Sequence, residues 1–284
     1  MEKITRFLSA CLIIVLIALS AAWFYENHTS NDDTSSKSNS SVKSASSDEP
    51  IYTLDDAVLS TKIQSLLAEN SDLDLSVSIT DLQTGKKYHW GESASYTAAS
   101  IGKLVTATAY LHMVETGQAS LDDQVGGFPA RTQLTKMIEE SDNTAWEGLN
   151  DIVTHQGLQA YATSIGMSSY TPDNNIMTSD DIALLLTKLA SQKLLTSENT
   201  DFLLALMKEA SMRAYIVAAI PEGTDVYHKV GYLADRLHDA SIIKRGDRSY
   251  VLVIFSKSTG DYDFSRGARL YGTITNATLK AFFP

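Results

Sequence analysis

Cysteine is almost missing from this chain of 284 residues: the one present, Cys11, lies in an apolar stretch near the N-terminus. The remainder can form no intramolecular disulfide and offers no thiolate chemistry. Positive charge is also short, with 23 Lys and Arg against 34 Asp and Glu and a formal net charge of −11. A nucleic-acid partner requires a basic surface to neutralise phosphates, so that class is excluded. No segment recurs with a period of about 20–50 residues, which argues against solenoids and propellers. The phosphate loops G-x-x-x-x-G-K-[ST] and G-x-G-x-x-G are absent, as are H-E-x-x-H and the EF-hand pattern. Nothing calls for a nucleotide, a metal or any other cofactor. A G-x-S-x-G turn is absent too, which speaks against a Ser-His-Asp hydrolase.

What is present is enough apolar content, 44% of residues, for one substantial domain with accessory segments. Its distribution divides the chain. Lys3 and Arg6 precede an apolar run from Phe7 to Phe24 that is just long enough to span a bilayer. Residues 1–6 read as a cytoplasmic n-region and 7–25 as a transmembrane anchor or signal segment. The positive flank puts the N-terminus inside and the rest of the chain outside the cell. Cleavage after Ala22 would instead release a secreted domain. Leu8-Ser9-Ala10-Cys11 has the residue pattern of a lipoprotein site, but the apolar run follows the cysteine, so Cys11 reads as a membrane-buried small hydrophobe. Residues 26–50, rich in Ser and Asp, cannot bury enough surface to order themselves and read as a disordered tether. Residues 51–284 form the folded domain.

Within that domain Thr53-Leu54-Asp55-Asp56 starts a helix over about 54–69. Leu75, Val77 and Ile79 alternate with hydroxyl residues, and Gln83-Thr84-Gly85 turns the chain into a second strand at Lys86–Trp90. From Ile101 to Lys208 the pattern is helical. Strand character returns at 225–230, 240–244 and 250–256, before a last helix containing Leu270, Ile274 and Phe282. The class expected is mixed α/β in the α+β sense: an antiparallel sheet from the N- and C-terminal parts, flanking helices, and an inserted all-helical lobe. A site belongs in the cleft between sheet and lobe.

Three short elements carry possible chemistry. Ser100 and Lys103 stand three residues apart at a helix start, so hydroxyl and amine share a face. A partly desolvated lysine can be neutral enough to take the serine proton. Ser141-Asp142-Asn143 falls on a helix-terminal turn, and Lys229-Val230-Gly231 on a strand, where the glycine lets a substrate lie against the strand edge. Each alone is ordinary: Ser40-Ser41-Val42-Lys43 repeats the first pattern inside the tether. Their order is the signal.

In that order, S-x-x-K, S-x-N and K-x-G, the elements resemble the active-site signature of class A β-lactamases and penicillin-binding proteins. The resemblance extends over residues 52–284. Met177 to Ala183 looks like the helix start after that family's Ω loop, and Ile220-Pro221-Glu222-Gly223 like the turn before its catalytic strand. The resemblance implies Ser100 as acylated nucleophile, Lys103 as its base and Ser141 as proton relay. It makes Asn143 a partner of the substrate amide and Lys229 the holder of its carboxylate. The backbone N–H groups of Ser100 and of Tyr232, after Gly231, would form the oxyanion hole.

Departures blunt the lactamase label. Residues 166–178 contain no glutamate, and Asp173 is their one carboxylate. Glu147 reads as solvated. Val230 replaces the usual threonine, and the interval from Ser100 to Ser141 is short for the family. Arg236 or Arg245 offers extra carboxylate binding near the Lys229 strand, although each reads better as a surface residue, and His228 reads as structural or solvent-facing. The function expected is a membrane-tethered, monomeric, penicillin-recognising serine hydrolase. It would be acylated by β-lactams or carboxylate-terminated cell-wall peptides and deacylated slowly. A DD-peptidase of peptidoglycan stem peptides, and a non-catalytic wall-binding or sensor domain, stay open.

Overall fold

Alternating apolar and hydroxyl side chains force an extended conformation on Leu73–Asp81 (β1), yet Ser76, Ser78 and Thr80 are as buried as Leu75, Val77 and Ile79. The hydroxyl face is satisfied internally: Ser179 Oγ lies 2.6 Å from Ser76 Oγ and 2.7 Å from Ser78 Oγ. Buried hydroxyls of this kind require such partners. A computed structural model describes residues 56–283, which fall in one compact unit, Thr53–Pro284. The anchor, tether and second S-x-x-K pattern expected within residues 1–50 lie outside the described residues. Among those described, no helix is long and apolar enough to cross a membrane.

The chain opens with α1 (Asp56–Glu69), β1 and β2 (Lys87–Gly91), as the sequence pattern predicts. It closes with β7 (Asp225–Leu233), β8 (Arg236–Arg245), β9 (Arg248–Ser258) and α8 (Phe264–Phe282). These strands form a five-stranded antiparallel sheet in the order β2-β1-β9-β8-β7, with β7 at one edge. The early hairpin and the late meander are therefore joined through β1 and β9, far apart in sequence. Alternate residues of β9 enter two cores: Val251, Val253 and Phe255 one, Tyr250, Leu252 and Ile254 the other. The second core is closed by α1 and α8, whose Leu270, Ile274 and Phe282 lie on the buried stripe.

Between the hairpin and the meander run α2 (Gly102–Glu115), α3 (Ala130–Glu139), α4 (Asn143–Val153), α5 (His155–Ser164), α6 (Ser179–Ala190) and α7 (Ser197–Glu209). The helical reading of this middle stretch holds, with small additions. Tyr96–Thr97 (β3) pairs with Ile176–Met177 (β6), and Gln124–Val125 (β4) with Phe128–Pro129 (β5). Helix α2 is buried from Gly102 to Leu111 without an exposed face, which makes it the axis of the lobe. Helix α6 begins with a capping box between Thr178 and Asp181.

Candidate active site

Ser100 is not on the first turn of an α-helix, as its spacing to Lys103 predicts, but in a 3₁₀ turn, Ala99–Ile101, that leads into α2. The i, i+3 relation survives, because a 3₁₀ turn also aligns residues three apart. Lys103 is fully buried, and its Nζ lies 3.1 Å from Ser100 Oγ. It also reaches the Ser141 carbonyl oxygen, Ser141 Oγ at 3.2 Å and Asn143 Oδ1 at 2.7 Å. Ser141 occupies the turn between α3 and α4 at φ +59°, and Asp142 caps α4 by accepting a hydrogen bond from Ala145 N at 2.7 Å. That left-handed residue lets the chain reverse between two helices and present both its carbonyl and its hydroxyl to Lys103.

Lys229 approaches the same hydroxyl from the sheet. It lies on edge strand β7, is 3% exposed, and its Nζ donates to Ser141 Oγ at 2.9 Å. Two lysines from different elements thus converge on one serine oxygen. Burial pushes Lys103 down to about 8, against the opposing pull of Asp142. Burial, then the charge of Lys103, push Lys229 down to about 7, partly offset by Asp239. Two ammonium groups cannot share a desolvated pocket cheaply, so near neutral pH the pair favours a single proton.

Gly231 is needed for a reason other than access to the strand edge. A Cβ there would stand 2.8 Å from Ala98 O and 3.0 Å from Ser100 N. The missing side chain lets β7 close onto the backbone of the Ser100 turn. Tyr232, the next residue, is half exposed, with its ring edge-on to Phe264 at 5.8 Å. Of the site residues named from the sequence, Ser100, Lys103, Ser141, Asn143, Lys229 and Gly231 meet along one seam between lobe and sheet, and Tyr232 follows Gly231 on β7 with its ring against Phe264.

Other residues fall into place. Of the two readings of His228 the structural one holds: it is fully buried, with Nε2 3.2 Å from Ala210 O and Nδ1 3.8 Å from Asp239 Oδ1. Val230 is buried in the second core, paired across the sheet with Asp239. Arg236 pairs with Asp235 at 2.6 Å, and Arg245 donates to Thr224 Oγ1 at 2.8 Å. Asp173 pairs with His155 at 2.7 Å, with both side chains largely exposed. Glu147 is exposed, in line with its reading as solvated.

Two neighbours escaped the motif reading. Trp146, one turn beyond Asn143 on α4, puts its ring 5.2 Å from Lys103 Nζ and donates from Nε1 to Thr106 Oγ1 at 2.8 Å. Its i, i+3 spacing from Asn143 was a usable sign. Asn175, at φ +48°, donates from Nδ2 to Ala99 O at 2.8 Å. Its one sign was an Asp-Asn-Asn run of the sort that favours turns.

An antiparallel sheet, an inserted helical lobe and a serine–lysine seam between them define the class of β-lactamase and penicillin-binding-protein serine hydrolases. The chain belongs to the Beta-lactamase enzyme family, which it matches over residues 58–282. Solved structures share the fold at low identity. A β-lactamase from Desulfarculus baarsii is 19% identical, with a TM-score of 0.75 over 82% of this chain and 100% of that one. A β-lactamase from Sphaerobacter thermophilus is 22% identical, with a TM-score of 0.72 over 80% and 97%. A mutant of PBP-A in acyl-enzyme complex with penicillin G is 21% identical, with a TM-score of 0.73 over 80% and 96%. No curated protein matches the chain.

Proposed function

We propose that this protein is a penicillin-recognising serine acyl-transfer enzyme, held at the outer face of the membrane by residues 7–25, whose acyl-enzyme turns over slowly. The observation that carries the reading is the chain of contacts Ser100–Lys103–Ser141–Lys229, with each link at 3.2 Å or less. PBP-A, of the same fold, forms an acyl-enzyme with penicillin G. The substrate is a β-lactam or a cell-wall peptide ending in a carboxylate.

Substrate carboxylate beside Lys229 draws the shared proton to that amine and leaves Lys103 neutral. Neutral Lys103 takes the Ser100 proton as Oγ attacks the carbonyl carbon. The Ser100 and Tyr232 N–H groups receive the developing oxyanion, and Asn143 holds the substrate amide. Ser141 passes a proton to the leaving nitrogen as the C–N bond breaks, and the acyl group stays on Ser100. Hydrolysis of that ester lacks a base: residues 166–178 contain no glutamate, and Asp173 is occupied at the surface by His155. The same deficit favours a DD-peptidase acting on stem peptides as the second reading.

The test incubates the purified full-length chain with a chromogenic cephalosporin and follows absorbance and intact mass together. A stable adduct, lost in Ser100→Ala, supports the proposal. Rapid turnover without an accumulating adduct refutes slow deacylation, and no adduct with no colour refutes acylation and leaves a wall-binding or sensor role.

A further inference from the structure

The nucleophile turn has an unusual backbone. Ala99, directly before Ser100, sits at φ +49°, a left-handed conformation that an alanine rarely adopts. Such a residue persists where its surroundings over-determine it. One residue from a distant part of the chain supplies much of that determination. Asn175 O accepts a hydrogen bond from Ala98 N at 2.8 Å, and Asn175 Nδ2 donates to Ala99 O at 2.8 Å. The two bonds bracket the peptide unit that sets the direction of Ser100.

The rest of the geometry is built around this clasp. The β3–β6 ladder, with Thr97 opposite Ile176 and Tyr96 opposite Met177, brings residue 175 beside residue 98. Asn175 is itself left-handed at φ +48°, which asparagine tolerates better than other non-glycine residues. Gly102 leaves room for it: a Cβ there would stand 2.2 Å from Asn175 Oδ1. From the opposite side Gly231 presses on Ala98 O and Ser100 N. The amide is oriented by the bond from its Nδ2 to Ala99 O, and its buried Oδ1 meets no hydrogen-bond donor among the described residues.

We propose that Asn175 is a positioning residue that holds the Ser100 turn in its reactive conformation, so that the glutamate-free segment 166–178 serves acylation. The inference rests on the reading of Ser100 as the nucleophile. It assigns to this segment a task in the first half-reaction.

Two variants of the full-length chain separate the possibilities. Asn175→Gly keeps the left-handed backbone and the bond from Ala98 N while removing the side-chain donor. Asn175→Asp keeps the shape but turns an acceptor toward Ala99 O. Labelling of Ser100 is followed by intact mass with benzylpenicillin and with a fluorophosphonate, which needs neither Lys229 nor a leaving nitrogen. Loss of one oriented hydrogen bond is expected to slow both labels about tenfold or more. Adduct lifetime and the melting temperature of Asn175→Gly should stay near those of the parent. Labelling of Asn175→Gly within about twofold of the parent overturns the proposal, as does Asn175→Asp at the parental rate, the result for a packing role.

A parent protein labelled by fluorophosphonate alone overturns the penicillin reading and leaves the comparison of Asn175 variants intact. If neither probe labels the parent, amide hydrogen exchange at Ala98 and Ile101 decides. Exchange about tenfold faster in Asn175→Gly supports the clasp, and unchanged exchange refutes it.

Discussion

At the scale of single residues, the proposed chemistry turns on the lysine pair. With Lys229 pushed down to about 7 and Lys103 to about 8, the pair holds two protons below that window, one within it and none above it. Two protons leave no base for Ser100, and none leaves no cation for the substrate carboxylate. The acylation rate is therefore expected to follow a bell centred between pH 7 and 8, measured by stopped-flow with a reporter β-lactam under single-turnover conditions. Its apparent constants belong to the pair and not to either lysine. A rate independent of pH between about 6 and 9 would sink the shared-proton mechanism. Lys103→Met is expected to slow acylation by roughly 10²–10⁴, the usual range for a general base. Ser100, Lys103, Ser141, Asn143 and Lys229 were legible because their types and order carry the chemistry. Trp146 and Asn175 had only weak local signs, since the neighbours they contact, Lys103 and Thr106 for one and Ala98 and Ala99 for the other, are brought near by folding.

Among elements, edge strand β7 and the Ser100 turn form a close junction. Gly231→Ala forces a methyl group to within 2.8 Å of a carbonyl oxygen and 3.0 Å of two backbone nitrogens, Ser100 N and Ile101 N. Backbone on one side and strand on the other must separate, with an overpacking cost of about 1–3 kcal/mol. The expected result is a folded protein with a lower melting temperature and acylation slowed about tenfold or more, since the turn that moves carries Ser100, the proposed nucleophile. Parental acylation in a folded Gly231→Ala would contradict this account of the glycine. The sequence pattern located β7 and its Lys-Val-Gly run but read the glycine as room for substrate. Strand periodicity reports which residues are extended, not which backbone they meet.

For the whole molecule, the site is a seam held by ties from both sides. Beyond α7, Ser211 N donates to Glu139 O at 2.8 Å, close to the Ser141 turn. Ala210 O meets His228, and Ile216 N donates to Asp239 Oδ2 at 3.1 Å. One segment thus joins the end of α3 to the strands beside Lys229. Closing this seam desolvates two amines, and that has a thermodynamic signature. Folded Lys103 and Lys229 titrate near 8 and 7, below the ordinary value of 10.5. Between those values and 10.5 the unfolded chain binds more protons, so these groups make stability rise with pH, by at most about 1.4 kcal/mol per pH unit each. Tyr110 and Tyr161, pushed up to about 12 by burial, reverse the trend above pH 10. Urea denaturation is expected to show stability increasing from pH 7 toward 10 and then falling, with a shallower rise in Lys229→Met. An equal slope in that variant would mean that Lys229 is not desolvated as the seam implies.

Local pattern was sufficient for the first and last helices, the five strands of the main sheet, the helical character of the middle and the order of the three motifs, because periodicity and turn chemistry act over a few neighbouring residues. It could not supply the pairing of β1 with β9, the second use of Gly231, the choice between a buried and an exposed His228 or the contacts of Asn175 with the Ser100 turn. Those depend on contacts between segments tens of residues apart, and they form only when the sheet closes and β7 is pressed against the start of α2.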